Sequence, residues 1–452
     1  MSTISNIPKI TAAMYSILTT TANQIAHTTH FVHRRSKLDG ALFAQTLVFG
    51  WWSRPQATLE ELADISAVLG CDITPQAIDQ RFNEQSATFL GQLLAATVRV
   101  AIASNPVAIP LMQRFEGVYL SDSSLISLPT ALYDVWQGCG NGAKPHASAL
   151  KMLVRLDLLR GKLTGPVLFS GRTHDRCAAQ QLDTSSLGRL PAGSLHLADL
   201  GFFDLGRLEE WSEQHVFWLT RLLTSTAVYT SEGARLQLGE WLATRRLRVQ
   251  EELEIDVQLG TNERVRARLL VQRVPTAIAE ARRRRLRQEA KRRGQTVSAQ
   301  RLALADWTMF VTNVPAEKLS VQEALAIGRA RWQIELLFRR WKSQGHIDEW
   351  RSAKPWRIMC EVYAKLIGLV MQHWLLVASC WTQPQHSLSK ATRLVQRYAE
   401  LIAGVFAASS EQLERTLNSI VYRLAARCCI TKHKGHPSTY QILLNPSLEV
   451  LA

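Results

Sequence analysis

The chain has 452 residues, enough for about two to four domains with cores of their own. Apolar residues make up 46% of it, which excludes an intrinsically disordered chain. Lys and Arg outnumber Asp and Glu by 53 to 38, and the net charge of +15 points to a polyanionic partner, nucleic acid ahead of an anionic membrane.

Seven cysteines are scattered, at 71, 139, 177, 360, 380, 428 and 429, and none forms a C-x-x-C pair. That pattern reads as reduced thiols of a cytoplasmic protein, mostly core filler. The start, "MSTISNIPKITAAMYS", lacks the basic head and apolar centre of a signal peptide. The most apolar long stretch, "YAKLIGLVMQHWLLVASCW", carries Lys365, Gln372 and His373. It reads as a buried helix rather than a membrane span.

In chain order, residues 1–112 read as helical. "TLEELADISAVLG" has a capping box, Thr58 with Glu61, and a stop at Gly70. "TPQAIDQRF" follows with Thr74 as cap and Pro75 at the first helical position. The pair fits a helix-turn-helix or a plain helical hairpin equally well.

From about residue 113 the period changes. "GVYLSDSSLISLP" holds a short strand expected to end near Asp122. "ALKMLVRLDLLRGKLTGPVLFSG" reads as two strands joined around Arg160-Gly161. "DRCAAQQLDTSSLGRL" reads as a helix, "SLHLADLGFFD" as a strand stopping at Asp199, and "HVFWLTRLL" as a further strand. Three strands, a helix and two more strands indicate an α/β core. Residues 223–306 read as a β-rich insertion, with "LRVQEELEIDVQL" and "RVRARLLVQRV" alternating. It closes on "AEARRRRLRQEAKRRG", seven arginines and one lysine against two glutamates. Such a run is either a solvated helix face or a phosphate contact. "WTMFVTNVP" returns to strand, and "SVQEALAIGRARWQIELLFRRWKSQG" predicts one long helix capped by Ser320 with Glu323 and stopped at Gly345. Residues 353–452 read as mostly helical.

On one continuous helix, Arg331, Glu335 and Lys342 fall within an arc of roughly 60°. Ile327, Ala330, Ile334, Leu337, Phe338 and Trp341 form the apolar stripe beside them. The plain reading is an i,i+4 pair between Arg331 and Glu335, worth about 0.2–0.5 kcal/mol. The strand-end aspartates Asp122 and Asp199 suggest more. Three converging carboxylates repel unless cations sit between them, and a pair of Mg²⁺ ions about 3.5–4 Å apart suits phosphoryl transfer. Asp157, Asp175 and Asp204 compete, but none fits the order of such a triad, and His174 reads as structural. The serines of "DSS" and "SGR" have no paired base.

These residues resemble the DDE transposases of the insertion-sequence-four family, whose signature is Y-x2-R-x3-E-x6-K. Here the pattern is G-x2-R-x3-E-x6-K, with Arg331, Glu335 and Lys342 in register and Gly328 in the tyrosine position. Asp122 stands in "LSDSS". Asp199 stands in "LADLGFF", which is similar to the family's A-D-R-G-[YF] with Leu200 in place of arginine. "VTNVP" and "HPSTYQILLNP" also look familial, and the resemblance covers nearly the whole chain.

The resemblance implies an α/β fold with a ribonuclease H-like core, a β-rich insertion and helical N- and C-terminal regions. It implies the division 1–112 (DNA-binding), 113–222 with 307–352 (catalytic core), 223–306 (insertion with basic segment) and 353–452 (helical C-terminal domain). Asp122, Asp199 and Glu335 would be catalytic and hold two Mg²⁺, with Mn²⁺ able to substitute. Arg331 and Lys342 would hold DNA phosphates. Trp307 would stack on a flipped base, worth about 1–3 kcal/mol, though an ordinary core tryptophan reads as well. The implied activity is cut-and-paste transposition: binding of terminal inverted repeats, excision through a hairpin, and joining of 3′-hydroxyl ends to a target duplex. A homodimer would synapse the two ends, in a bacterial cytoplasm at the nucleoid, with no membrane partner. The alternatives are a transposase-derived DNA-binding protein without catalysis and a ribonuclease H-like nuclease without strand transfer.

Overall fold

A computed structural model describes residues 6–34, 37–140, 145–430 and 437–451. The first five residues and His436, on which two of the readings above partly fall, lie outside the described residues. The chain forms two compact units, each assembled from separated stretches. The first comprises Met1–Ala108, Asp122–Arg189 and Gln333–His433. The second comprises Ile109–Ser121, Leu190–Trp332 and Lys434–Ala452.

Nine strands form one sheet: β1 (Val118–Leu128), β2 (Ser148–Asp157), β3 (Leu163–Ser170), β4 (Leu195–Ala198), β5 (Phe217–Arg221), β6 (Val228–Thr230), β7 (Glu252–Leu259), β8 (Val265–Arg273) and β9 (Trp307–Thr312). Their order is β3-β2-β1-β4-β5-β9-β8-β7-β6. β2 and β3 are antiparallel, while β4 lies parallel to β1 and β5 parallel to β4. Helices Asp175–Thr184 and Leu205–Glu213 make the two crossovers to β4 and β5. This is the expected α/β core with helical flanks. β1 runs six residues further than the sequence suggested, to Leu128, because "SLISL" continues the strand alternation past Asp122.

The insertion does not build a sheet of its own. β9 pairs antiparallel with both β5 and β8, so β8, β7 and β6 extend the same sheet. β7 alternates as read: Glu252, Glu254 and Asp256 are exposed, while Leu253, Ile255 and Val257 turn inward. Val257, Leu269, Val271 and Val311 join Trp211, Trp218 and Leu242 in the core of the second unit.

The first unit is organised around helix Pro355–Ser379. Every residue from Ile358 to Ser379 is buried, against helices Gly40–Ser53 and Glu84–Thr97 among others. Several of its buried polar side chains have partners. Trp52 Nε1 donates to Gln372 Oε1 at 3.0 Å, and His373 Nε2 sits 2.8 Å from the Gly161 carbonyl. Burial pushes the His373 imidazole down to about 4, which keeps it neutral. The apolar stretch is therefore a core helix, as read.

Local signals held where they were local. The Thr58–Glu61 box caps Leu59–Val68, Gly70 takes φ +87°, and Thr74 caps Pro75–Asp79. Asp79 pairs with Lys354 at 2.5 Å and Arg357 at 3.6 Å. The long helix predicted over Val321–Ser343 is instead two helices, Val321–Arg329 and Trp332–Ser343. Ala330 N–H bonds back to Ile327 O, three residues away, which tightens the last turn and ends the first helix. Gly328, two residues earlier, costs helix propensity of about 1 kcal/mol relative to Ala.

Candidate active site

The break changes the geometry of the signature. Arg331 lies between the helices, so the arc that placed it beside Glu335 does not apply. Glu335 and Lys342 do share a helix and, seven residues apart, one face. The apolar positions are buried but do not form one stripe: Ile327 and Ala330 belong to the first helix and its cap, and Ile334, Leu337, Phe338 and Trp341 to the second. Glu335 falls in the first turn of its helix, where the exposed N–H groups favour a carboxylate.

Asp122 lies in β1 and Asp199 directly follows β4. The parallel register runs from Val118↔Leu195 to Leu120↔Leu197. Asp122 is two residues beyond Leu120, and Asp199 two beyond Leu197. Ser121, one residue before Asp122, and His196, three before Asp199, meet through Oγ and Nε2 at 2.9 Å in a buried contact that ties the strands. Asp122 Oδ1 accepts the Ser123 N–H at 2.8 Å.

The two basic signature residues have partners. In the second unit Arg331 Nε stands 3.7 Å from Asp199 Oδ1, both half-exposed. In the first unit Lys342 Nζ donates to the Leu125 carbonyl of β1 at 3.0 Å. Lys342 thereby ties the Glu335 helix to the strand that carries Asp122. Trp307 opens β9, half-buried against the core, with the Arg273 guanidinium over its ring at 5.9 Å.

Gly328 is packed tightly. A Cβ there would stand 2.8 Å from Phe310 Cζ and 3.0 Å from its Cε1, and Phe310 is itself buried. The ring occupies the space into which a side chain at 328 would project. Propensity alone would make Gly328→Ala stabilising by about 1 kcal/mol. Overpacking costs about 1–3 kcal/mol. We expect Gly328→Ala to lower the urea midpoint and Gly328→Tyr to lower it further, with Phe310→Ala relieving the tyrosine variant. A rise in midpoint for Gly328→Ala would contradict this.

The competing acids take structural roles. Asp157 Oδ1 accepts the Leu159 N–H in the β2–β3 turn. Asp204 caps helix Leu205–Glu213, and His174 caps Asp175–Thr184. Asp175 binds the side chains of Ser123 and Lys151.

Carboxylates are hard oxygen donors, the set that Mg²⁺ takes, so Asp122, Asp199 and Glu335 fit a divalent cation in donor type. Among the described residues, no three of His, Cys, Asp or Glu stand grouped closely enough to hold an ion.

The family described as "Transposase DDE domain" matches residues 113–371, more than half of the chain. The chain belongs to this family. The transposase for insertion sequence element IS231F of Bacillus thuringiensis subsp. israelensis is 25% identical over 367 residues, covering 77% of this chain and 75% of the relative. The transposase for IS1151 of Clostridium perfringens is 23% identical over 377 residues, covering 79% and 78%. Among solved structures, a piggyBac transposase synaptic complex with hairpin DNA aligns with a TM-score of 0.48 and 9% identity, over 95% of this chain and 87% of that one. The chain is thus a DDE transposase of the insertion-sequence-four type, as its motifs indicated.

For this transposase, sequence reasoning missed the division of labour within the basic run, which forms helix Thr276–Arg292. Arg282 donates to Trp307 O and Thr308 Oγ1, and Arg283 pairs with Asp306 at 2.5 Å. These two anchor the helix to the start of β9, and burial pushes the Arg282 guanidinium down. Arg284, Arg285, Arg287, Lys291, Arg292 and Arg293 remain exposed. The separation follows helical spacing, but which face is anchored depends on β9. The Ser123–Asp175–Lys151 contacts were also missed. Their one sequence signal was a lysine inside the apolar strand "ALKMLV".

Proposed function

We propose that the chain excises and reinserts its element by cut-and-paste, with Asp122, Asp199 and Glu335 as the catalytic carboxylates. Water attacks the scissile phosphorus at the element end as the P–O3′ bond breaks, which frees a 3′-hydroxyl. That hydroxyl attacks the opposite strand to give a hairpin, a second hydrolysis reopens it, and the 3′ end then displaces a 3′-oxygen in target DNA. Two divalent cations held by the three carboxylates, Mg²⁺ or Mn²⁺, would supply Lewis acidity for these phosphoryl transfers. Arg331 and Lys342 hold end phosphates, exchanging their present partners for the DNA. Trp307 offers an indole face to an unstacked base.

Helical region 1–112 and the exposed side of the basic helix bind the terminal inverted repeats, the basic side chains by phosphate contact. Two copies synapse the ends as a homodimer, with the C-terminal helices, 353–452, as the contact. The work is done on chromosomal DNA in the bacterial cytoplasm.

The observation that carries this reading is the register of β1 and β4. Each aspartate stands two residues beyond the last paired residue of two adjacent parallel strands, Asp122 within β1 and Asp199 just past β4. Asp199 thereby lies at the carboxyl end of a parallel strand, the end at which open α/β sheets bind their ligands, and Asp122 lies just past the stretch of β1 that pairs with that strand. Glu335 sits on a helix that Lys342 holds to the same β1. The test is to incubate labelled element-end duplex with the transposase, Mg²⁺ and a target plasmid. Label covalently joined to the plasmid is the expected result. End hydrolysis without joining would leave a nuclease, and binding without cutting would leave a DNA-binding protein.

A further inference from the structure

We infer that Lys151, Asp175 and Ser123 form a clamp behind β1 that orients the Asp122 carboxylate. The inference rests on the reading of Asp122 as a catalytic residue. Every contact in it lies within the first unit.

Asp122 and Ser123 are consecutive in a strand, so their side chains leave opposite faces of the sheet. On the face behind Asp122, Ser123 Oγ donates to Asp175 Oδ1 at 2.8 Å. Lys151 Nζ donates to the same oxygen at 2.7 Å and to the Thr173 carbonyl at 2.5 Å. Lys151 projects from β2, the neighbour of β1 in the sheet, and is only 7% exposed. An ammonium that deep needs a carboxylate, and Asp175 supplies it. Asp175 in turn is the first residue of helix Asp175–Thr184, where the N-terminal N–H groups favour its charge.

Three elements thus meet at one carboxylate oxygen, Asp175 Oδ1, which in turn holds the Ser123 hydroxyl. Ser123 also gives its N–H to Asp122 Oδ1 at 2.8 Å. The clamp reaches the carboxylate through the backbone of Ser123, so its members are positioning residues. Groups that hold a ligating carboxylate in place typically matter by about 10–100-fold in metal affinity when removed.

The probe is Mn²⁺ binding to the full chain on element-end duplex, read by the electron paramagnetic resonance of free Mn²⁺, with duplex alone as the blank. Melting temperature is followed for each variant. Ser123→Ala and Asp175→Ala are expected to weaken Asp122-dependent Mn²⁺ binding by about tenfold. Ser123→Thr, which keeps the hydroxyl, is expected to bind as the unaltered chain does. A merely structural role would lower the melting temperature and leave the affinity of the folded protein unchanged.

Wild-type affinity in Ser123→Ala overturns the clamp, and so does a Ser123→Thr variant as weak as the alanine one. If Asp175→Ala does not fold, the Ser123 pair decides alone. If Asp122→Asn leaves Mn²⁺ binding unaltered, the reading of the site itself fails, and the clamp with it. That outcome is distinct from a loss seen at Asp122 but not at Ser123.

Discussion

Lys365→Met will destabilise the first unit by about 3–5 kcal/mol, a large part of the 5–15 kcal/mol that holds a typical domain together. Lys365 and Glu361 are 2% and 3% exposed and pair at 2.7 Å inside helix Pro355–Ser379. The remaining two protons of the ammonium go to the carbonyls of His346 and Glu349, at 3.0 and 2.9 Å. Removing the lysine strands a buried carboxylate and two buried acceptors together.

Burial already pushes the Glu361 carboxyl up and the Lys365 ammonium down, and each resists only because the other is there. In the variant the raised carboxyl has no partner. Its folded form then prefers to be protonated, so the stability deficit is smallest in acid and grows as pH rises through the folded pKa. Urea unfolding at several pH values reads both effects. The double variant Lys365→Met, Glu361→Leu should recover the part of the loss that comes from the stranded carboxylate, because an apolar pair can replace a buried ion pair at little cost. The two unpaired carbonyls keep their share. A single variant as stable as the unaltered chain would show that the pair contributes nothing. On the proposed reading the loss reaches the site, since the two carbonyls belong to the turn that follows the Glu335 helix.

The second large effect is on chemistry rather than stability. Asp122→Asn, Asp199→Asn and Glu335→Gln should each reduce cleavage of element ends by about 10³-fold or more, equivalent to about 4 kcal/mol of transition-state stabilisation. Each substitution is nearly isosteric and removes one negative charge. Binding of the end duplex should therefore persist or tighten slightly, as a repulsion toward phosphate is removed. Asp199→Asn also loosens the pairing with Arg331, a half-exposed contact worth only about 0–1 kcal/mol. A gel-shift assay beside the cleavage assay separates the two quantities. Loss of binding in step with loss of cleavage would argue that the carboxylates act through folding.

How much of this was legible in the sequence follows the range of the interactions. Capping boxes at Thr58–Glu61 and Ser320–Glu323 were visible because each is made within four residues. The strands of the insertion were visible from their alternation. That they extend the core sheet was not, because β9 joins β5 to β8 across long stretches of chain. Arg331, Glu335 and Lys342 were legible as a spacing, yet the interruption at Ala330–Arg331 was not. No proline marks it, and Gly328 lowers propensity without dictating a break. That Phe310 fills the space beside Gly328 was equally hidden, since it depends on how β9 and the helix pack. Lys365 gave a plain signal, a charge in an apolar run. Its meaning as an anchor for the turn after the Glu335 helix came only with the partners in place.

The most direct test of the central claim is excision of an element from a supercoiled plasmid carrying both ends, with Mg²⁺ against EDTA and the unaltered chain against Glu335→Gln. The account predicts excision that needs the metal, hairpin-capped ends on denaturing gels, and none of either with Glu335→Gln. Excision that survives in EDTA or in Glu335→Gln would contradict it, as would a chain that binds both ends and never cuts them.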